Sequence, residues 1–370
     1  MRILISGALV AESAEELNPP ANSSPSPLWY GNAPTQKRGL PVGLRRNMDM
    51  TAGDEVEQRS LGAPDLKVAP LALGGNVFGW TADEATSLSL IDAFVERGFS
   101  LIDTADVYST WVEGHQGGES EAIIGQWLKR GGARDKIVIA TKVGMDMRKA
   151  GKGLSKAHII QSAENSLRRL RTDHIDLYQA HIDDISVPLE ETLEAFASLI
   201  EAGKVRAIGA SNYVAPRLAE ALAASAKAGL PRFACLQPHY NLVNRSLFEG
   251  DLQKLCLTEG LGVIPYYALA AGFLTGKYRS VADLPGSARA GTVAHYLDPR
   301  GLDIVDEIAK IAGRLAATPA QIAIAWVMAQ PGITAPIVSA TSLAQLEDVM
   351  QAATVSLDKQ ALSRLDRVSA

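Results

Sequence analysis

Cysteine is nearly missing from this chain: Cys235 and Cys256 are the two among 370 residues. Both lie in apolar stretches, which argues against a disulfide framework and for a reducing, cytoplasmic compartment. No apolar run reaches the roughly 18–20 residues that a membrane helix needs. The short run Ile3–Val10 follows a single Arg and lacks a good cleavage pattern, so it makes a poor secretory signal. A basic stripe is also missing. Net charge is −5 with Lys and Arg scattered throughout, which argues against a nucleic-acid partner. No strand-like run leads into G-x-G-x-x-G, and Gly74–Gly79 has another spacing, so the Rossmann way of holding a dinucleotide is disfavoured.

What is present is ordinary globular material, 47% hydrophobic and 21% charged, enough for a large core. The first fifty residues differ. Asn18–Gly43 is rich in Pro, Ser, Asn and Gly without a hydrophobic period, and such a segment buries too little surface to offset its ordering entropy. Residues 1–50 therefore read as a disordered extension. Met48 and Met50 stand just before the patterned part, where a shorter reading frame would begin.

From residue 51 to 370 the chain keeps one rhythm. Val56–Leu61 and Leu66–Val68 flank a Gly/Pro turn and predict an N-terminal β-hairpin. Strand-like and helix-like runs then alternate: Pro70–Leu73, Asp83–Arg97, Ser100–Asp103, Ser120–Lys129, Lys136–Thr141, Ser155–Leu170, Ile175–Ala180, Leu189–Glu201, Val205–Gly209, Pro216–Ala228, Phe233–Gln237, Leu252–Glu259 and Gly262–Tyr267. Helices over Asp303–Leu315 and Pro319–Gln330, a strand at Ala335–Ser339, a helix at Leu343–Gln351 and a helical tail at Asp358–Val368 complete the series. About eight β-then-α units without a compositional break predict one α/β domain, a (β/α)₈ TIM barrel. Such barrels carry their active sites at the C-terminal ends of the strands.

Polar residues gather at those ends. Asp103, Lys142, His181, Ser211, Asn212, Gln237 and Tyr267 end or follow successive strand runs, and Tyr108 lies in the loop after Asp103. Singly, each has a bland reading: a buried Asp–Lys pair, a rim aromatic, a satisfied core histidine. Together they suffice for carbonyl reduction. A hydride arriving at carbon leaves charge on oxygen, which a general acid neutralises. A tyrosine of pKa about 10 is a poor acid near neutrality. A neighbouring ammonium lowers that pKa, and an aspartate keeps the ammonium charged. The histidine orients the carbonyl or relays the proton. No side chain supplies a hydride, so a nicotinamide cofactor is required.

Six segments resemble the aldo-keto reductase superfamily, in its bacterial and potassium-channel β-subunit branch. They are the DTAxxY-like Asp103-Thr104-Ala105-Asp106-Val107-Tyr108, the lysine strand Ala140–Gly144, the histidine strand Asp176–His181, Gly209-Ala210-Ser211-Asn212, Gln237-Pro238-His239-Tyr240-Asn241, and Leu269–Tyr278. The resemblance covers roughly residues 55–370. It implies reduction of an aldehyde or ketone with NADPH, NADH being the alternative, by a tetrad of Asp103, Tyr108, Lys142 and His181. It places Ser211, Asn212 and Gln237 on the nicotinamide carboxamide and Tyr240 stacked on its ring. Tyr267, Leu269, Gly272 and Lys277 would line the pyrophosphate, and Gly75 and Asn76 would approach cofactor and substrate. Ser339, Thr341, Gln345 and Asp348 fall where the family binds the adenosine end.

The chain departs from the family in places. Tyr267 stands where Ser is usual, Ile182-Asp183-Asp184 replaces Trp-Pro after the histidine, and Ile337–Asp348 holds no Arg or Lys for a 2′-phosphate. Trp80 and Trp111 lie in loops near the expected mouth, either walling an apolar substrate pocket or packing on the rim. The loop Ser109–Gly118 suggests a carbonyl compound of more than a few carbons: a sugar, a terpenoid, an aromatic aldehyde or a xenobiotic ketone such as a fungal toxin. The expected partner is that small molecule, with no nucleic acid and no membrane, and a homo-oligomer left open. Two other readings remain. One is a metal-dependent barrel hydrolase using His174, Asp176, His181, Asp183, Asp184 and His239. The other is a redox-sensing subunit that binds the cofactor and turns over little.

Overall fold

The computed structural model describes residues 56–370, and the disordered extension expected over 1–50 lies outside them. β1 (Arg59–Ser60) and β2 (Lys67–Val68) form the expected antiparallel hairpin, shorter than its apolar runs. The rest of each run turns inward. Leu61, Leu66 and Val68 pack with Ala72, Leu101, Leu177, Cys235 and Ile264 as a buried plug at one end of the barrel. Gly62 sits there at φ 86°, and a Cβ on it would meet the Ala234 carbonyl oxygen at 1.8 Å, so glycine is obligatory beneath the barrel floor.

The alternation then runs β3 (Ala72–Gly74), α1 (Glu84–Glu96), β4 (Leu101–Asp103), α2 (Glu119–Lys129), β5 (Val138–Val143) and α3 (Lys156–Leu170). It continues with β6 (Ile175–Ala180), α4 (Leu189–Glu201), β7 (Val205–Ser211), α5 (Ala215–Ala228), β8 (Cys235–Gln237), α6 (Asp251–Glu259) and β9 (Gly262–Val263). After a long excursion with α7 (Ala290–Ala294), α8 (Pro299–Leu315) and α9 (Pro319–Met328) come β10 (Ile337–Val338), α10 (Leu343–Gln351) and α11 (Lys359–Ser369).

β3 to β10 form one sheet of eight parallel strands in the order β10-β3-β4-β5-β6-β7-β8-β9. Its two edges meet: Thr334 N–H donates to Val263 O and Ile337 N–H to Pro265 O, each at 2.8 Å. The sheet is thus a closed (β/α)₈ barrel. Period-2 alternation sorts the side chains. Ile102, Ile139, Tyr178, Ile208 and Leu236 point outward into the main core under the helices. The alternate positions fill the barrel, apolar at the hairpin end and polar at the strand C-terminal ends. α8 begins four residues before its apolar period, because Asp298 caps it (Gly301 N–H to Oδ1, 2.6 Å) and Pro299 suits its first turn. Among the described residues no single helix is long and apolar enough to cross a membrane.

Candidate active site

Five side chains, those of Lys142, Asp103, Tyr108, Gln237 and Gln179, form one hydrogen-bonded network at the polar end. Lys142 on β5 is fully buried, and its Nζ donates to Asp103 Oδ2 (2.7 Å), Thr104 O (2.8 Å) and Tyr108 Oη (3.1 Å). All three of its donors are therefore used. The other oxygen of Asp103 accepts from Gln237 Nε2 at 2.8 Å, and the same nitrogen lies 3.3 Å from Gln179 Oε1. His181 closes the group, its ring centroid 6.0 Å from that of Tyr108.

The electrostatics follow from burial and pairing. Burial pulls the Lys142 ammonium down, but Asp103 and Tyr108 together outweigh it and hold the pKa above its ordinary value. Burial pushes the Tyr108 phenol up, and the opposing pull of Lys142 does not overcome it, so the net direction is upward. The lysine effect expected from sequence is present but subordinate, and Tyr108 keeps its proton at neutral pH. Burial, then Lys142, drives His181 well below its ordinary range. His181 is a neutral imidazole, and its buried Nδ1 has no hydrogen-bond partner among the described residues.

The strand ends beyond this network carry the remaining polar groups. Ser211 Oγ donates to Gln237 O (3.0 Å), and Asn212 Nδ2 donates to His181 O (2.9 Å). Asn212 Oδ1 accepts from Tyr266 Oη at 2.7 Å. Tyr266 packs against the barrel interior and is backed by the His239 ring, stacked at 5.1 Å. Gly75 is buried, and a Cβ there would meet Ser120 Oγ at 2.7 Å, so its first requirement is close packing. Asn76 Oδ1 accepts from Ser339 Oγ at 2.6 Å, tying β3 to β10 at the rim.

One expected cofactor contact, the Tyr240 stack, is corrected. Tyr240 is fully buried between Trp326 and Phe248, with its hydroxyl donating to Glu249 Oε1 at 2.6 Å. It is a core residue with no face open to a ligand. Tyr266, which sequence reasoning missed, is the inward ring at the mouth. Asp348 faces α9 and accepts from Thr318 Oγ1 (2.9 Å) and Gln321 Nε2 (2.8 Å) on Oδ1, anchoring that helix start. Thr341 and Gln345 bond each other, with Thr341 N–H on Gln345 Oε1 at 2.9 Å. Gln179 was also missed. Its register opposite Lys142 on the neighbouring strand was the available signal.

The site fits a nicotinamide dinucleotide. Asn212 accepts from Tyr266 Oη, and Ser211 Oγ bridges from Asn212 Nδ2 to Gln237 O, so amide and hydroxyl groups cluster at this rim. Beyond Tyr267 (φ 60°) and Leu269, the backbone runs left-handed through Ala270 (φ 48°), Ala271 (φ 57°) and Gly272 (φ 91°). Such turns make anion-binding concavities. A Cβ on Gly272 would meet nothing nearer than Lys277 Cε and Nζ at 3.6 Å, so a cation borders that open space.

Trp80 and Trp111 both reach the mouth. Their ring centroids are 5.7 Å apart, and Trp111 lies 5.7 Å from Tyr108. The metal-ligand set considered from sequence is split between the two barrel ends. Asp176 sits at the β6 N-terminal end, bonded to Arg134 (2.7 Å) and Arg206 (2.9 Å), and His181 follows that strand's C-terminal end.

Residues 70–370 match the family model described as the aldo/keto reductase family. The chain is 36% identical over 326 residues to "Uncharacterized oxidoreductase YrpG" of Bacillus subtilis (strain 168), covering 85% of this chain and 96% of that one. It is 35% identical over 282 residues to "Aldo-keto reductase YhdN" of the same organism, covering 75% and 81%. A "Probable voltage-gated potassium channel subunit beta" of Arabidopsis thaliana is 32% identical over 310 residues, covering 81% and 92%.

Proposed function

The chain belongs to the aldo/keto reductase family and is an NAD(P)H-dependent oxidoreductase; from that premise we propose that it reduces an aldehyde or ketone to the alcohol with Tyr108 as proton donor. The observation that carries this reading is the chain Tyr108 Oη–Lys142 Nζ–Asp103 Oδ2, at 3.1 and 2.7 Å. When bound, a reduced nicotinamide supplies the hydride to the carbonyl carbon. Tyr108 gives its hydroxyl proton to the carbonyl oxygen, and the Lys142 ammonium stabilises the phenolate that remains. Asp103 keeps that ammonium in place. The neutral His181 ring orients the carbonyl oxygen without competing as an acid. Ser211, Asn212 and Gln237 would hold the carboxamide, Tyr266 would face its ring, and the Ala270–Gly272 turn with Lys277 would take the pyrophosphate.

NADPH is the proposed nucleotide and NADH the alternative. Residues 337–348 contain no cation, and Arg97, which reaches α10, is paired with Glu347 at 2.6 Å. Separate titrations with the two nucleotides, followed by tryptophan fluorescence, decide between them. Both cysteines are free and buried, which fits the cytoplasm.

Tyr108→Phe tests the reading. Nucleotide affinity stays near wild type, and aldehyde reduction falls by about two or more orders of magnitude. Retained turnover would remove Tyr108 from its role. The likeness to a potassium channel β subunit favours one other reading, a sensor that binds nucleotide and scarcely turns over. A wild-type protein that binds nucleotide yet reduces no aldehyde would favour it.

A further inference from the structure

Trp111 is 46% exposed, although it stands directly beside the proton donor. Its contacts with Tyr108 and Trp80 are both edge-to-face, at interplanar angles of 65° and 78°. Two indoles and a phenol thus make a corner of roughly perpendicular rings, half of one indole still facing solvent. An aromatic ring fits such a corner in the stacked and edge-on arrangements that aromatic pairs prefer. A linear alkyl chain covers less of it.

The loop that presents Trp111 is fastened on both sides of it. Glu119, the first residue of α2, accepts from Ser109 N–H (3.1 Å) and Gly117 N–H (3.0 Å) on Oε2 and from Gln116 N–H (2.8 Å) on Oε1. Ser109 Oγ meets His115 Nδ1 at 3.0 Å. Arg148 reaches over from the β5–α3 loop and donates to Thr110 O. Burial pushes the Glu119 carboxyl up, but the N–H groups it accepts from outweigh that, leaving it an ionised acceptor at neutral pH. The indole is therefore held ready rather than ordered at binding, which lowers the entropic cost of using it.

We propose that this mouth selects aryl aldehydes and ketones, with Trp111 holding the substrate's ring and Glu119 positioning the loop that presents Trp111. The proposal rests on the carbonyl-reductase reading above and gives that reading a substrate class. Trp80 forms the second wall of the corner, and the reacting carbonyl lies toward Tyr108 and His181.

The test is kcat/KM for naphthaldehyde and for butanal, with the same nucleotide, in wild type, Trp111→Ala, Trp111→Phe and Glu119→Ala. In Trp111→Ala the naphthaldehyde-to-butanal ratio falls about tenfold or more, the usual worth of a lost apolar pocket contact, and the loss appears mainly in KM. Trp111→Phe restores most of the ratio. Glu119→Ala moves it in the same direction while nucleotide affinity holds, and a melting curve confirms that this variant is folded. Trp111 is exposed, so its variants do not depend on refilling a core. Turnover of both aldehydes with an unmoved ratio in Trp111→Ala would overturn the substrate class and leave the reductase reading standing. No turnover of either aldehyde by wild type, with either nucleotide, would overturn the reading beneath it as well.

Discussion

Lys142→Met separates what the buried ion pair does for stability from what it does for chemistry. Lys142 is completely buried and spends every donor on Asp103, Thr104 and Tyr108. Methionine has similar length and no charge, so little cavity forms. The Asp103 carboxylate, however, keeps only Gln237 as a side-chain donor among the described residues, at 2.8 Å. Breaking a buried pair by removing one partner costs about 3–5 kcal/mol, chiefly through the charge left behind. Adding Asp103→Asn removes that charge, and the double variant recovers to within about 1–2 kcal/mol of wild type, the worth of the remaining lost hydrogen bonds. Activity behaves otherwise. Without the ammonium, nothing beside Tyr108 stabilises the phenolate that proton donation leaves. Turnover falls by about two to four orders of magnitude in the single variant and stays there in the double. Denaturant unfolding and aldehyde-dependent consumption of the reduced nucleotide measure the two quantities side by side. A single variant as stable as wild type, or a double variant that regains turnover, would refute the reasoning.

The remaining predictions concern groups away from the reacting atoms. Asp106 is buried with neither carboxyl oxygen partnered among the described residues, and burial, then Glu121, raises its pKa to about 8. The folded state holds this proton while the unfolded chain loses it, so the cost appears above the ordinary carboxylate pKa and grows as pH rises toward about 8. Asp106→Asn therefore stabilises the protein, by little near about pH 4 and on the order of a few kcal/mol near about pH 8. A gain in melting temperature independent of pH would contradict this. His181 and His239 run the other way: burial lowers both, His239 to about 4. Below about pH 6.5 the unfolded chain takes up protons that these folded rings refuse, so stability falls with pH, and His239→Gln flattens that acid limb in melts across pH. At the far end of the barrel, Asp176→Ala removes an acceptor from Arg134 and Arg206 and frees the buried Ile139 N–H, costing about 1–3 kcal/mol in unfolding experiments. Its turnover per folded molecule stays near wild type, and a selective loss of turnover would tie that end to the chemistry.

The barrel was legible because two periods are written plainly in the chain. Runs such as Ile175–Ala180 and Leu189–Glu201 carry strand and helix patterns that end at Gly or polar residues, and the structure keeps those bounds. The same period-2 alternation that buries Leu101 brings Asp103 inward and up, and likewise Ala140 and Lys142. Order along the chain is weaker evidence for which way a loop residue faces. Tyr240 lies beyond the end of β8, where alternation no longer applies, and its ring turns outward onto Trp326 of α9. Tyr266 and Tyr267 are adjacent and chemically alike, yet a left-handed backbone at Tyr267 gives them different surroundings, and nothing in a tyrosine announces φ 60°. Asp348 was assigned by neighbourhood, and its partner Thr318 is thirty positions away in sequence. Glu119 was invisible as an anchor because its acceptors' worth depends on three loop N–H groups converging, a fact of geometry alone.

The most direct test of the central claim uses reduced nucleotide deuterated at the nicotinamide C4, an aryl aldehyde and mass spectrometry of the alcohol. The account predicts one deuterium at the carbinol carbon for wild type in ordinary water, and almost no labelled product for Tyr108→Phe at equal nucleotide occupancy. Alcohol formed without the label, or labelled equally well by Tyr108→Phe, would contradict hydride transfer coupled to proton donation from Tyr108.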